Sequence, residues 1–150
     1  MKIEYKVIDI NEVPKIAEIF GDYVIKFNCF HFGEGCLSLA AYDNEVPVGI
    51  ISTYPLEYPR PLEHLRDAYI DVLEVDKKYR KQGIARGMII RTEKWAKENG
   101  YHQIRAWSSE DKIEAIPMWY ALDYCMCPAK IWVEWCKKVV DGFYVAKKLN

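Results

Sequence analysis

Residues 73–86 have the sequence Leu73-Glu74-Val75-Asp76-Lys77-Lys78-Tyr79-Arg80-Lys81-Gln82-Gly83-Ile84-Ala85-Arg86. This stretch combines the end of a strand, a basic turn and the beginning of a helix, because residues 68–75 are mostly apolar with several β-branched side chains. Small residues at Gly83 and Ala85 would let a ligand approach the backbone closely. The first amides of a helix have no partner within it, and the helix dipole adds positive charge there. The turn is therefore an expected binding site for a phosphate group.

The pattern Arg80-x-x-Gly83-x-Ala85 resembles the acetyl-CoA pyrophosphate loop of the GCN5-related N-acetyltransferase (GNAT) family, which is Arg/Gln-x-x-Gly-x-Gly/Ala. The preceding Leu73-x-Val75-Asp76-x-x-Tyr79-Arg80 and the amphipathic helix that follows also match this family. The resemblance covers residues 1–150, is strongest over 68–124 and is loose at both ends. It implies one N-acetyltransferase domain over 1–150, with acetyl-CoA as the cosubstrate.

Length and composition are those of a single soluble domain. The chain has 150 residues, of which 51% are hydrophobic and 29% charged, which suits a globular protein with a substantial core. The net charge of −1 provides no overall basic field to attract nucleic acid or an anionic membrane. No apolar run approaches the roughly 18 residues of a membrane span. The first residues are not a signal peptide, so we expect a cytoplasmic protein without nucleic-acid or membrane partners.

The five cysteines are expected to be free thiols, because their number is odd and no secretion signal precedes them. Cys125-x-Cys127 is the one close pair. The histidines His64 and His102 are distant in sequence, and no second close pair of ligands exists. A structural zinc site needs four such ligands, so we expect no metal.

Hydrophobic periodicity and turn residues predict the order of the secondary-structure elements. Strands are predicted near residues 3–7, 37–42, 46–54, 68–75, 102–107, 125–135 and 142–149. Three helices are predicted. The first begins after Asn11, which is taken as its N-cap, and Gly21 ends or bends it; the other two span 83–99 and 112–122. The strand–helix–strand succession around 83–99 predicts a parallel pair. The resemblance implies an α/β (α+β) fold: a mixed, mostly antiparallel sheet of six to seven strands, about four helices, and a splayed central parallel pair.

The resemblance also implies how the cosubstrate binds. The pantetheine arm would lie in the splay and pair with backbone groups of Leu73 and Val75. The pyrophosphate would contact the amides of the loop beside Arg80, which are those of Lys81, Gln82, Gly83, Ile84, Ala85 and Arg86. The 3′-phosphate would meet Lys77, Lys78 or Lys81.

Residues 112–124 align with the family pattern Asn-x-x-Ala-x-x-x-Tyr-x-x-x-Gly-Phe, with departures in three places. Lys112 stands at the Asn that often contacts CoA, Trp119 stands at the usual Tyr, and Asp123-Tyr124 replaces Gly-Phe. Lys112 and Trp119 are still expected to contact the cosubstrate. An indole does not ionise usefully, so Trp119 cannot be a general acid. The adjacent Tyr120, rotated by roughly 100° on a helix, could replace it if Pro117 distorts the helix locally.

An acceptor amine must lose a proton before it can attack a thioester. An alkylamine has a pKa of about 10.4, so the neutral amine costs about 4–5 kcal/mol at pH 7. Asp71 is the favoured base, because it matches the position of a glutamate base in some family members. Glu74 is the competitor. Period-two alternation predicts Asp71, Leu73 and Val75 on one face of the strand and Glu74 on the other. A backbone N–H near Val75 would stabilise the oxyanion.

The aromatic residues between Tyr23 and Phe32 correspond to one wall of the acceptor site in the resembled family, or form a hydrophobic cap. His31 is interpreted as a packing or hydrogen-bonding side chain rather than a base. Together with this aromatic wall, Trp132 and Trp135 favour a small amine or a flat, partly apolar acceptor, but they suit a core or the face of a homodimer equally well.

The predicted function is transfer of the acetyl group of acetyl-CoA to a primary amine, in a small molecule, by direct attack in a ternary complex. The alternatives are a protein N-terminal or lysine acetyltransferase acting on a peptide amine, and a non-catalytic CoA-binding sensor. The departures at Lys112 and Trp119 keep the sensor alternative open.

Overall fold

The computed structural model describes residues 1–150 and contains one seven-stranded sheet. The strands are β1 Ile3–Val7, β2 Leu37–Asp43, β3 Val46–Leu56, β4 Asp67–Val75, β5 Gln103–Ser109, β6 Cys125–Val133 and β7 Lys138–Lys148. The helices are α1 Val13–Phe20, α2 Tyr23–Lys26, α3 Ile84–Glu98 and α4 Ile116–Ala121. Short 3₁₀ turns span Ile10–Glu12, Lys77–Tyr79 and Glu110–Ala115.

The strands lie in the order β1-β2-β3-β4-β5-β7-β6, and every neighbouring pair is antiparallel except β4 and β5. This confirms the predicted mixed, mostly antiparallel sheet with four helices and one parallel pair. None of the helices is both long and apolar enough to cross a membrane.

Helices cover both faces of the sheet and form two hydrophobic cores. On one face, apolar side chains of α3 and α4 pack on β2 to β5 and β7, with Met88, Ile89 and Ile104 fully buried. On the other face, α1 and α2 pack on β2, β3 and β4, with Ile16 and Val24 at the centre. Each helix buries a single stripe, as the periodicity predicts.

The parallel strands β4 and β5 part halfway along their length. They pair from Asp67 with Gln103 to Ile70 with Ala106. Beyond that point β4 continues along β3 as far as Val75, whereas β5 pairs with β7. A gap therefore opens beside residues 71–75 of β4, which confirms the predicted splay.

A β-bulge in β4 changes which side chains share a face. Val72 pairs with Ser52 and Ile70 with Thr53, so Asp71 is an extra residue on β4. An extra residue interrupts strict alternation. As a result Val72 belongs to the core beneath α1 and α2, whereas Leu73 contacts the core beneath α3.

The predicted faces of the two carboxylates are therefore wrong. Asp71 contacts His31 and Glu74 contacts Tyr23, both from the segment that leads from α1 to β2. Asp71 and Glu74 lie on the same side of the sheet, and Asp71 does not share the face of Leu73 and Val75. The bulge is the cause.

Two smaller expectations are also corrected. The capping side chain is Asp9 rather than Asn11, and it caps the 3₁₀ turn Ile10–Glu12 that leads into α1. The Asp9 carboxylate accepts a hydrogen bond from the Asn11 N–H at 2.8 Å, and Glu12 completes a capping box. Trp132 and Trp135 are exposed by 54% and 71% at the β6–β7 hairpin, which excludes a core role. A dimer face there stays a prediction, which sedimentation at micromolar protein would check.

Candidate active site

The loop before α3 presents unpaired backbone amides. Lys81 and Gly83 adopt left-handed conformations, with φ of 62° and 80°, and Gly83 is the N-cap of α3. No N–H between residues 81 and 86 has a hydrogen-bond partner in the protein, and Gly87 is the first amide that bonds within the helix, to the Gly83 carbonyl. Such a run of free amides at a helix N-terminus binds anions, above all phosphate.

A cavity of about 490 Å³ lies between this loop, the end of β4 and the segment that contains α4. Among the predicted cosubstrate residues, those lining it are Leu73, Val75, Arg80, Lys81, Gly83, Ile84, Ala85, Arg86 and Lys112. Gln82 and Trp119 do not line it. The cavity joins the splay to the amide loop, which is the continuous path that a long phosphorylated ligand requires.

Trp119 and Tyr120 both lie away from the cavity. Trp119 is 3% exposed and packs edge-on against Tyr124, with ring centroids 4.8 Å apart, inside the core. Tyr120 is 60% exposed. Pro117 lies in the first turn of α4, where its missing N–H deprives the helix of nothing. The structure therefore does not bring Tyr120 to the cavity, and the contact of Trp119 with the cosubstrate stays a prediction that the burial of its ring does not support.

Five residues that line the cavity were not predicted from the sequence as site residues. They are Tyr79, Glu114, Ala115, Met118 and Ala121. Ala115, Met118 and Ala121 recur every three residues, and this helical spacing was a signal that could have identified them.

The Arg80 side chain connects the end of β4 with the segment that precedes α4, because its Nε donates to the Val75 carbonyl at 3.0 Å and its Nη1 lies 3.8 Å from Glu114 Oε1.

The direction of the backbone N–H groups of β4 follows from its last bond to β3. The N–H of Asp76 donates to the Val48 carbonyl at 2.9 Å. Successive backbone N–H groups of a strand point to opposite edges, so those of Leu73 and Val75 point into the gap. The Val75 carbonyl already accepts a hydrogen bond from Arg80, whereas the Val75 N–H has no hydrogen-bond partner in the protein.

A second set of polar side chains lies beside the cavity, on the face of the sheet that α1 and α2 cover. We call Tyr23, Cys29, His31, Asp71 and Glu74 the acidic cleft. The Tyr23 hydroxyl donates to the Glu74 carboxylate, and His31 Nε2 lies 2.6 Å from Asp71 Oδ2. Glu74 also lines the cavity, so the two sites share a residue.

Burial and the two carboxylates keep the neighbouring groups protonated. Burial, followed by the charges of Asp71 and Glu74, raises the pKa of the Cys29 thiol to about 11. Burial and the hydrogen bond to Glu74 raise the pKa of Tyr23. At neutral pH Cys29 is therefore a thiol and not a nucleophilic thiolate.

The raised pKa of Cys29 predicts slow alkylation. With iodoacetamide at pH 7.5, Cys29 should react at least about tenfold more slowly than the exposed Cys125, because the thiolate is the reactive form. Its rate should rise steeply as the pH approaches 11. Peptide mapping by mass spectrometry over a time course measures both rates. Equal rates for Cys29 and Cys125 at pH 7.5 would contradict a raised pKa of the Cys29 thiol.

No group of three or more His, Cys, Asp and Glu side chains is placed to hold a metal ion, and all five cysteines are free.

The sequence matches the model of the acetyltransferase (GNAT) family over residues 7–124. The chain belongs to this family. This GNAT domain is accordingly an acyltransferase of the N-acetyltransferase type, and its cosubstrate is acetyl-CoA. The unpaired amides of residues 81–86 and the cationic side chains of Arg86 and Lys112 at the cavity fit a phosphorylated ligand of this kind.

Solved structures share the fold of this GNAT domain. The acetyltransferase of GNAT family from Streptococcus pneumoniae matches with a TM-score of 0.76 and 12% identity, covering 99% of this chain and 100% of that one. Arabidopsis thaliana NAA60 in complex with a bisubstrate analogue matches with a TM-score of 0.78 and 16% identity over 99% and 100%. The ribosomal-protein-S18-alanine N-acetyltransferase from Escherichia coli matches with a TM-score of 0.74 and 13% identity over 99% and 95%. No curated protein matches the sequence.

Proposed function

We propose that this GNAT domain transfers the acetyl group of acetyl-CoA to the primary amine of a small cationic molecule, by direct attack in a ternary complex. The observation that carries the proposal is the position of Glu74, which lines the cosubstrate cavity and also belongs to the acidic cleft. Two carboxylates in one cleft attract an ammonium group. An amine drawn to this cleft lies next to the cavity.

The cavity residues account for the cosubstrate half of the reaction. The amides of residues 81–86 are proposed to hold the pyrophosphate, with Lys112 across the cavity and Lys77 or Lys78 near the 3′-phosphate. The backbone of Leu73 and the N–H of Val75 are proposed to align the pantetheine arm. Acetyl-CoA supplies an electrophilic thioester carbonyl. The free Val75 N–H is the proposed donor to the oxygen of that carbonyl as negative charge develops there.

Direct attack is favoured over an acetyl-enzyme intermediate because of the state of Cys29. It is the one thiol of the acidic cleft, and its pKa of about 11 keeps it protonated at neutral pH. A protonated thiol is a poor nucleophile. The acceptor amine is then the group that attacks.

Asp71 is proposed to take part in removing the proton of the ammonium group. The competing carboxylate, Glu74, already accepts a hydrogen bond from Tyr23. A general acid is not required, because a simple thiol has a pKa of about 8.5 and is a tolerable leaving group as thiolate. The exposure of Tyr120 agrees with this view.

The second candidate acceptor is a peptide amine. Two solved structures that share the fold are a ribosomal-protein-S18-alanine N-acetyltransferase and NAA60 in complex with a bisubstrate analogue. Because the first is named as an enzyme that acts on a protein, peptides belong among the acceptors to be tested. A CoA-binding sensor is the third candidate function.

Initial-rate kinetics on a panel of acceptors test the proposal. The panel comprises small mono- and diamines, a peptide with a free N-terminus and an N-blocked peptide with one lysine, and free-thiol release reports turnover. We expect a small amine to give the highest kcat/KM and intersecting double-reciprocal lines, as a ternary complex requires. Parallel lines would contradict direct attack, and a peptide with the highest kcat/KM would move the assignment to protein acetylation.

A further inference from the structure

We propose that His31 is the group that accepts the proton from the acceptor's ammonium group, and that Asp71 is the residue that positions the imidazole and stabilises the positive charge it acquires. The inference rests on the proposed amine acetylation and names the base for it. The sequence alone predicted a packing or hydrogen-bonding role for His31, and four separate contacts now indicate a more specific role.

Two buried serines fix the backbone of His31. Its N–H donates to Ser52 Oγ at 2.9 Å, and its carbonyl accepts from Ser38 Oγ at 2.8 Å. The two hydroxyl oxygens are 2.8 Å apart, and Ser38 and Ser52 are 3% and 0% exposed. A buried and fully satisfied network of this kind rigidifies the segment that it holds. The backbone from which the imidazole projects is therefore held in place.

The imidazole ring is fixed as firmly as the backbone. Nε2 lies 2.6 Å from Asp71 Oδ2, and the ring packs on Tyr54 with centroids 4.4 Å apart. A carboxylate can only accept, so Nε2 carries a hydrogen, and in the neutral imidazole Nδ1 is then the nitrogen that has the lone pair. No protein group bonds Nδ1, and it is absent from the buried polar atoms that lack a partner. Nδ1 is therefore accessible and has no partner in the protein.

The other ionisable groups around His31 are unsuited to accept a proton at neutral pH. Burial is the largest cause of a raised pKa at Tyr23, Tyr54 and Tyr69, and it contributes most to the pKa of about 11 at Cys29. These groups stay protonated. Glu74 is engaged by Tyr23. Tyr144 and Arg105 are ionisable neighbours of Tyr54, the residue on which the His31 ring packs. Histidine is the side chain whose ordinary pKa lies nearest to neutral pH.

The proton transfer can be written in full. An N–H bond of the ammonium group breaks, its electron pair stays on the amine nitrogen, and the proton binds His31 Nδ1. The imidazolium is stabilised by the Asp71 carboxylate. The amine nitrogen then forms the C–N bond with the thioester carbon, and the C–S bond breaks with its electron pair on sulfur. One further proton leaves the nitrogen, so that one proton ends on the CoA sulfur and the other, through His31, in solvent.

The variant His31→Gln separates a base from a merely structural residue. The glutamine amide can donate to Asp71 from the position of Nε2, but it has no basic nitrogen. We expect kcat/KM for the best amine to fall about 10²-fold at pH 7, with acetyl-CoA affinity unchanged. The loss should shrink as the pH approaches the pKa of the amine, and added imidazole should restore turnover in His31→Ala. His64→Gln, in the exposed loop before β4, should remain within about twofold of wild type.

Nitrogen-15 NMR of the histidine ring provides a readout that needs no turnover. We expect His31 in the Nε2–H tautomer in the wild type, and the loss of that preference in Asp71→Ala. An Nδ1–H tautomer would overturn the proposal, because the proton-accepting position would be occupied. Full activity in His31→Gln would overturn the base role alone. Wild-type protein that acetylates no amine would overturn the proposed function together with the base role.

Discussion

Replacing Asp71 with Asn is expected to lower turnover at pH 7 by about 10³-fold, with little change in acetyl-CoA affinity. Asp71 lies at the bulge of β4 and contacts His31, not the amide loop. An asparagine removes the negative charge that stabilises an imidazolium. Its NH₂ group can also donate to Nε2 and force the hydrogen onto Nδ1. The expected loss exceeds that of His31→Gln, in which the Asp71 carboxylate remains as a weaker proton acceptor.

The loss of turnover in Asp71→Asn should depend on pH. The loss in Asp71→Asn should be greatest near neutral pH and should shrink as the pH rises towards about 10.4, where an alkylamine is already half deprotonated. Turnover against pH for wild type and variant measures it. Asp141→Asn, at an exposed position of β7 that pairs with Lys130, is the matched control. An unchanged Asp71→Asn beside a large, pH-independent loss in Tyr120→Phe would reverse the assignment.

Replacing Gly83 with Glu is expected to weaken acetyl-CoA binding at least about tenfold, because it places a negative charge at a phosphate site built from amides. A Cβ at Gly83 meets no atom within 4 Å, although the φ of 80° strains any side chain. The fold should therefore survive the change. Isothermal calorimetry measures the affinity, and circular dichroism checks the fold.

Gly100 offers a closely matched control for this substitution. It lies just past the other end of α3, has a φ of 77° and also has no atom within 4 Å of an added Cβ. Gly100→Glu therefore carries the same charge and the same backbone strain at a site away from the cavity. Acetyl-CoA binding should be unchanged in Gly100→Glu. Equal acetyl-CoA affinity in Gly83→Glu and Gly100→Glu would contradict the assignment of the loop before α3 as the phosphate site.

The order of elements and the amide loop could be predicted because their signals are local. Alternating apolar residues predict the strand β4, and an apolar stripe predicts the buried face of α3. Gly83 indicates the turn between the two elements. The splay followed from the family resemblance together with the parallel connection. Seven strands and four helices are observed where about that number was expected.

The acidic cleft could not be predicted because it depends on contacts between distant segments. The bulge at Asp71 arises from the pairing of β4 with β3, and nothing in the local pattern of residues 67–75 marks it. The role of His31 depends on Ser38, Ser52 and Asp71, which come from three different strands. Such a network is visible only after the sheet has formed.

The position of Trp119 shows a second limit of pattern matching. It occupies the place of a tyrosine in the family pattern, yet its side chain packs in the core against Tyr124. A large apolar ring gains more from burial than from a polar cavity. The aligned position therefore did not determine the direction of the side chain.

Acetyl transfer to an amine is tested by incubating the protein with the amine panel and with acetyl-CoA that carries carbon-13 in the acetyl group. The products are then analysed by mass spectrometry. We expect a labelled acetamide of at least one primary amine, in amounts equal to the free thiol released, and no label on Cys29. Binding of acetyl-CoA without any labelled product across the panel would contradict acetyl transfer and would favour a CoA-binding sensor.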